Sequence, residues 1–264
     1  MTLSLPSHTP AAAPTRPLEW PTIALGIGCA FAWGATLWGV ADVSVTLAVL
    51  LLVPILVLHS SLSHEALHGH PFANQRVNDA LAMMQPGVFV PYLRFRDTHR
   101  AHHKDAQLTD PYDDPESNYL DPAVWARLWI GWRLILRLNN TLLGRMLIGP
   151  IVSQIAFMRS DARLIWAGHR GVLAAWVWHV LLLAPLFYAV TLSAMPFWSY
   201  LLAAYGALCV LKIRTFLEHR AHEKSRGRTV IIEDRGPLAF LFLNEVCQRF
   251  SGPSFACFFL AFEE

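Results

Sequence analysis

The run Val43–His70, VSVTLAVLLLVPILVLHSSLSHEALHGH, joins two signals in one segment. Its first part, Val43 to Leu58, is almost wholly apolar. A bilayer span needs about 20 such residues, and fewer in a short hairpin. Its last part places His64 and His68 four apart, so on a helix they share a face. Upstream, Trp20 to about Val40 is a second apolar stretch, separated from the first by Ala41 and Asp42 alone. The two read as a helical hairpin. Downstream, Gly171 to about Leu192 and Phe197 to about Leu211 form another pair around the short turn Ser193 to Pro196. Pro54 and Pro185 are expected to kink their helices, which neighbouring helices tolerate.

Composition agrees. Hydrophobic residues make up 54% of the 264 and charged residues 15%, with a mean hydropathy of +0.37. Soluble proteins average about 25% charged residues. The expected fold is an all-α integral membrane protein of two transmembrane hairpins, about four spans. Charge sets its orientation. Of 21 Lys and Arg, only Arg16 precedes residue 76, and the other 20 lie in 76–170 or 212–264. By the positive-inside rule both long segments face the cytoplasm. In a bacterium this is the cytoplasmic side of the inner membrane.

The remaining segments read as follows. Residues 1–19 are rich in Pro, Ala and Thr and are expected to be a disordered tail, with no cleavable signal peptide. The stretch 78–95 is apolar but broken by Pro86, Gly87 and Pro91, which reads as a half-buried or re-entrant piece. Residues 123–147 interleave Trp125, Trp129 and Trp132 with Arg127, Arg133 and Arg137, which suits a helix lying in the membrane interface. A fifth shallow span there, or at 146–158, is the alternative. The net charge of +2 with no Lys-rich aromatic patch excludes nucleic acid as a partner. Four cysteines without CxxC spacing exclude a disulfide framework or zinc finger.

Eight of the twelve histidines fall in three clusters. They are His64, His68 and His70 in HEALHGH, then His99, His102 and His103 in HRAHH, then His219 and His222 in EHRAH. Each cluster has helical ligand spacing, and neutral imidazole suits iron, zinc and copper. One tetrahedral zinc takes three or four protein ligands, so eight histidines fit two metals in one site better. With two hairpins dipping from one side, all three clusters reach the cytoplasmic face just past helix ends. Glu65, Asp97, Asp105 and Glu218 sit inside or beside the clusters and are expected to receive the second imidazole N–H. For Asp113, Asp114 and Glu116 a solvated acidic loop is an equal reading. His59 and His179, one in or near each of two spans, read as structural, and His8 and His169 as ordinary tail or loop residues. His64-Glu65-x-x-His68 also matches HExxH, the zinc metalloprotease motif with Glu65 as general base. That reading leaves two clusters unexplained. A third is a membrane protein whose clusters bind metal structurally, without catalysis.

HEALHGH, HRAHH with LTDPYDDPES after it, and EHRAH resemble the membrane fatty acid desaturase superfamily, over about residues 50–244. That superfamily includes acyl desaturases, alkane hydroxylases and carotenoid ketolases and hydroxylases. The resemblance implies two hairpins under a helical cytoplasmic cap, and a di-iron centre that uses O2 to attack an unactivated C–H bond of a lipid. It implies His64, His68, His99, His102, His103, His219 and His222 as ligands, with His70 as a possible extra one. No separate catalytic residue is implied beyond the metal centre. It also implies an external electron donor, a ferredoxin or cytochrome with its reductase, because the chain has no flavin, nicotinamide or iron–sulfur fingerprint. One departure stands out. The family has a further HxxHH box beyond the EHRAH-type segment, whereas residues 245–264, EVCQRFSGPSFACFFLAFEE, contain no histidine. The expectation is a desaturase-like domain over 20–244 and an atypical C-terminus, truncated or frameshifted, that impairs activity by removing ligands.

Overall fold

The computed structural model describes residues 18–104, 120–218 and 240–243, with backbone alone for 102–104 and 214–218. The described residues are helical and turn-forming. Helix α1 (Trp20–Val43) contains a π-helical turn at Thr36–Val40, and Ser44 then caps α2 (Val45–Leu67), its Oγ accepting from Leu47 N. Short helices α3 (Gln75–Ala82) and α4 (Tyr92–Lys104) follow, then α5 (Pro122–Arg127) and α6 (Ile130–Asn139). Three long helices complete the frame: α7 (Leu142–Trp166), α8 (Arg170–Thr191) and α9 (Phe197–Glu218).

Four helices are long and apolar enough to cross a membrane: Trp20–Val43, Val45–Leu67, Leu142–Trp166 and Arg170–Thr191. The apolar part of α9, Phe197–Ile213, is shorter. The chain is thus an all-α membrane protein, but its long helices correct two details of the sequence reading. First, α2 does not stop at Leu58. It runs on through Leu67, so the span and His64 are one rigid element with His68 at its C-cap. Second, the stretch expected to be a single interfacial helix over 123–147 is divided among α5, α6 and the start of α7. Helix α7 takes up the alternative span expected at 146–158 and extends it at both ends, where Arg145, Arg159, Asp161 and Arg163 dilute the hydropathy. Arg145 and Asp161 are nonetheless buried.

The turns after α1 and after α8 lie at one end of the bundle, since Ala41, Val190, Met195 and Tyr200 share one core cluster. The opposite end carries the cap built from α3 and α4. Helix α9 packs on α2 through small residues. Ala203, Ala204 and Ala207 are buried there, and a Cβ on Gly206 would lie 2.9 Å from Val53 Cγ2. Small residues let helix backbones approach where no hydrophobic driving force separates helix from lipid.

The segment 83–91 enters the bundle as a re-entrant loop. Irregular backbone at membrane depth needs protein donors for its carbonyls. Three helices each supply one. Tyr200 Oη on α9 donates to Pro86 O at 2.7 Å, His179 Nε2 on α8 to Val88 O at 2.7 Å, and Gln154 Nε2 on α7 to Phe89 O at 2.8 Å. His179 is therefore a structural donor. Trp33 Nε1 in turn donates to Tyr200 Oη at 3.1 Å. Tyr200→Phe removes both bonds and leaves the Pro86 carbonyl buried. A loss of about 1–3 kcal/mol is expected, read as a lower unfolding midpoint in detergent. An unchanged midpoint would mean that the loop is not held by this carbonyl.

Candidate metal centre

Two helices bring three imidazoles together. His64 and His68 lie one turn apart near the end of α2, and His99 lies on α4. Nε2 of His99 is 3.0 Å from Nε2 of His64 and 3.3 Å from Nε2 of His68. One nitrogen from each ring lies within 4.8 Å of the others. Imidazoles bound to one metal at about 2.0–2.1 Å have nitrogens about 2.8–3.0 Å apart at right angles and about 3.3–3.4 Å apart in a tetrahedron. A ring nitrogen carries one proton or one in-plane lone pair, so His99 Nε2 cannot be well bonded to both neighbours by hydrogen bonds alone. A shared cation accepts all three lone pairs. The residues present fit a metal.

The neighbours explain how the rings are held. Arg100, next to His99, donates through Nε (3.2 Å) and Nη2 (2.6 Å) to Leu67 O, the last carbonyl of α2. That carbonyl is one of the four left unpaired at a helix end, and a cation there also suits the helix dipole. The second histidine segment thus caps the helix carrying the first. Arg94 forms a bidentate pair with Asp161 of α7, at 2.9 and 2.7 Å, and Trp176 Nε1 of α8 donates to the same carboxylate at 2.8 Å. Arg96 reaches Asp79 of α3 at 2.5 Å. Three arginines on α4 therefore fix it to three different elements. Phe95, one turn before His99, packs its ring 5.6 Å from that of His99 and 6.2 Å from that of His64.

Asp79 also accepts from Gln75 Nε2 and Tyr92 Oη, both at 2.8 Å. Burial works against its charge, but the hydrogen bonds from Gln75, Tyr92 and Arg96 outweigh it and hold the carboxyl below its ordinary value. Burial and the Asp79 hydrogen bond push the Tyr92 phenol up. Because the folded pKa of Asp79 is depressed, its stabilisation is complete above the unfolded value of about 3.9 and is lost as pH falls through the folded value. Asp79→Asn is expected to lower stability at neutral pH by about 1–3 kcal/mol, with the gap to the parent closing in acid. A gap that stays constant down to acid pH, in unfolding curves collected across pH, would show that ionisation of Asp79 is not what stabilises the cap.

The expected residues are placed unevenly. Glu65 is buried beside the cluster, with Oε1 3.9 Å from His64 Nδ1. Asp97 is exposed and bonded to Arg96, not turned to the histidines. His70 is turned elsewhere too, for a backbone reason. Helix α2 ends at Leu67, and Gly69 at φ 94° reverses the chain, a conformation that favours glycine. His70 is carried off the helical face, and its Nδ1 donates to Glu19 Oε1 at 2.6 Å. Helix α4 runs through Lys104, so the backbone of His102 and His103 continues the face of His99. Helix α9 is described as far as Glu218, directly before the third cluster. His219, His222 and Asp105 lie outside the described residues, as do 1–17 and 244–264. The arginine anchors and the carboxylates that receive them were not singled out in the sequence. Their one signal was an acid, Asp161, inside a helix long and apolar enough to cross a membrane.

A helical membrane frame with converging imidazoles at its cap end defines a class, the histidine-rich integral membrane protein with a candidate metal site. Within that class the chain belongs to the fatty acid desaturase family, whose profile matches residues 38–248. No curated protein and no solved structure matches the chain. Family membership makes it a lipid-modifying membrane oxidoreductase.

Proposed function

We propose that this chain is an O2-dependent di-iron enzyme that desaturates or hydroxylates the acyl chain of a lipid at the cytoplasmic face of a bacterial inner membrane. The observation that carries it is the convergence of His64, His68 and His99 within a desaturase-family frame. His64, His68 and His99 would hold one iron. His102, His103, His219 and His222 would hold the second. The iron pair would supply O2 activation and the removal of hydrogen from an unactivated C–H bond.

The chain's own residues do the rest. The imidazoles of His64, His68 and His99 would hold the iron, and the arginine anchors keep the two ligand helices in register. Glu65, buried beside His64 with Oε1 3.9 Å from its Nδ1, would orient that ring. The reaction balances in either mode. Desaturation consumes O2, two electrons and two protons, and gives the alkene with two waters. Hydroxylation uses the same inputs and gives the alcohol with one water. A separate ferredoxin or cytochrome with its reductase delivers the electrons.

Membranes containing the chain, supplied with ferredoxin, reductase and 18O2, provide the test. Lipid mass spectrometry should show a new double bond or an 18O hydroxyl that requires reductant and vanishes in His99→Ala. Iron-loaded protein that oxidises no lipid, or one that cleaves peptides in a Glu65-dependent way, would overturn the proposal.

A further inference from the structure

A cavity of about 680 Å³ lies between α1, α2, α8 and the segment 78–86. It is not part of the histidine centre. Helix α2 lines it with Ile55, His59, Leu62, Ser63 and Ala66. At about 100° per residue this face lies about 170° around the axis from His64 and His68, so the full thickness of α2, about 10 Å, separates the two. The volume falls within the range of small-molecule sites.

The lining says what fits. No Asp, Glu, Lys or Arg contributes to it. An ionised carboxylate or phosphate inside would be left uncompensated, at large cost. At the rim, Ile27 of α1 is 66% exposed and Met84 39%. In a spanning helix such residues meet acyl chains, so the cavity opens to lipid. The polar lining is already engaged, with one exception. Thr22 donates to Glu19, Asn78 is bonded in both directions to the Phe72 backbone, and Ser63 donates to His59 O and accepts from Gln85. The His59 ring has only a long contact, Nδ1 to Ser63 Oγ at 3.4 Å. Among the described residues no hydrogen bond engages its Nε2. His59 lies eight residues before the end of α2 at Leu67, about 12 Å below the cap.

We propose that this cavity binds a neutral long-chain lipid, its acyl chain along α1 and α8 and its hydroxyl or ester oxygen on His59 Nε2, separate from the lipid that reacts. The occupant is uncharged because the lining is uncharged, and it carries one hydrogen-bonding group because one ring nitrogen is there to meet it. A hydroxyl suits either tautomer, since it both donates and accepts.

The test uses the full chain with its metal in nanodiscs and octadecanol carrying a tail diazirine. Saturable photolabelling is expected on α1 and α2. Unlabelled octadecanol should compete at least tenfold better than stearate at pH 8. A Cβ on Gly26 meets no heavy atom within 4 Å, so Gly26→Phe can fill the cavity from α1. It should abolish the label, and His59→Leu should weaken it about tenfold, both with iron content equal to the parent. Should Gly26→Phe fail to fold, His59→Leu carries the decision. Label that does not saturate, that survives Gly26→Phe, that is indifferent to His59→Leu, or that falls together with iron would overturn the proposal. So would label that appears only after residues 1–17 are deleted, because the chain's own N-terminal segment would then be the occupant.

Discussion

His99→Ala is expected to empty the metal site. His99 Nε2 is the common member of both short nitrogen–nitrogen contacts, and it is the ligand that joins α4 to α2. Without it, two imidazoles one turn apart remain on a single helix, too few to close a site. Losing a residue that merely orients a ligand costs 10–100-fold in metal affinity, so losing a ligand should cost at least about 100-fold. Lipid oxidation should fall below detection. The helix itself should stay in place, because Arg94, Arg96 and Arg100 still anchor α4. The unfolding midpoint of the metal-free protein should therefore match that of the metal-free parent. His70→Ala is the contrast. Its ring is engaged by Glu19, so metal content should stay at the parental level. Equal metal loss in both variants would contradict the placement of the two rings.

Asp161→Ala is expected to be the most damaging change to stability. Asp161 is 1% exposed and receives three donors, two from Arg94 and one from Trp176. Its removal leaves a guanidinium buried at the junction of α4, α7 and α8. Breaking such a pair on one side costs about 3–5 kcal/mol, a large part of the stability of an ordinary domain. In the parent, the hydrogen bonds that Arg94 donates to Asp161 and the attraction of that carboxylate favour the charged guanidinium against burial. Without the carboxylate the arginine still cannot escape by losing its proton, because a guanidinium does not deprotonate in proteins. Replacing both partners, as in Arg94→Met with Asp161→Leu, should recover much of the loss, because matched apolar groups need no compensation. Unfolding curves of the two single variants and the double variant decide this. A double variant as unstable as Asp161→Ala would show that geometry, not the stranded charge, sets the cost.

Much of the frame was legible in the sequence because it rests on local pattern. The apolar run into HEALH became α2 with His64 and His68 on one face, and the breaks at Pro86, Gly87 and Pro91 became the re-entrant loop. The bland reading of His179 matches its bond to Val88 O. What was not legible depends on partners far away in the chain. Arg94 and Asp161 are 67 residues apart, and neither neighbourhood announces the other. That pairing lets α7 bury an acid just beyond 146–158, the part of it that sequence marked as a possible shallow span. His70 resembled a ligand because its spacing from His68 is short, but spacing carries meaning only while the helix continues. Gly69 ends that continuity. Asp97 misled for a similar reason. It neighbours His99 in sequence but lies about 200° away around α4, where Arg96 claims it.

The central claim is that the converging histidines form an iron centre, and elemental analysis of the detergent-purified full chain tests it most directly. Iron approaching two per chain, falling to about one or fewer in His99→Ala and kept in His70→Ala, is the predicted result. One zinc per chain in place of iron, or no metal in a folded protein, would contradict it.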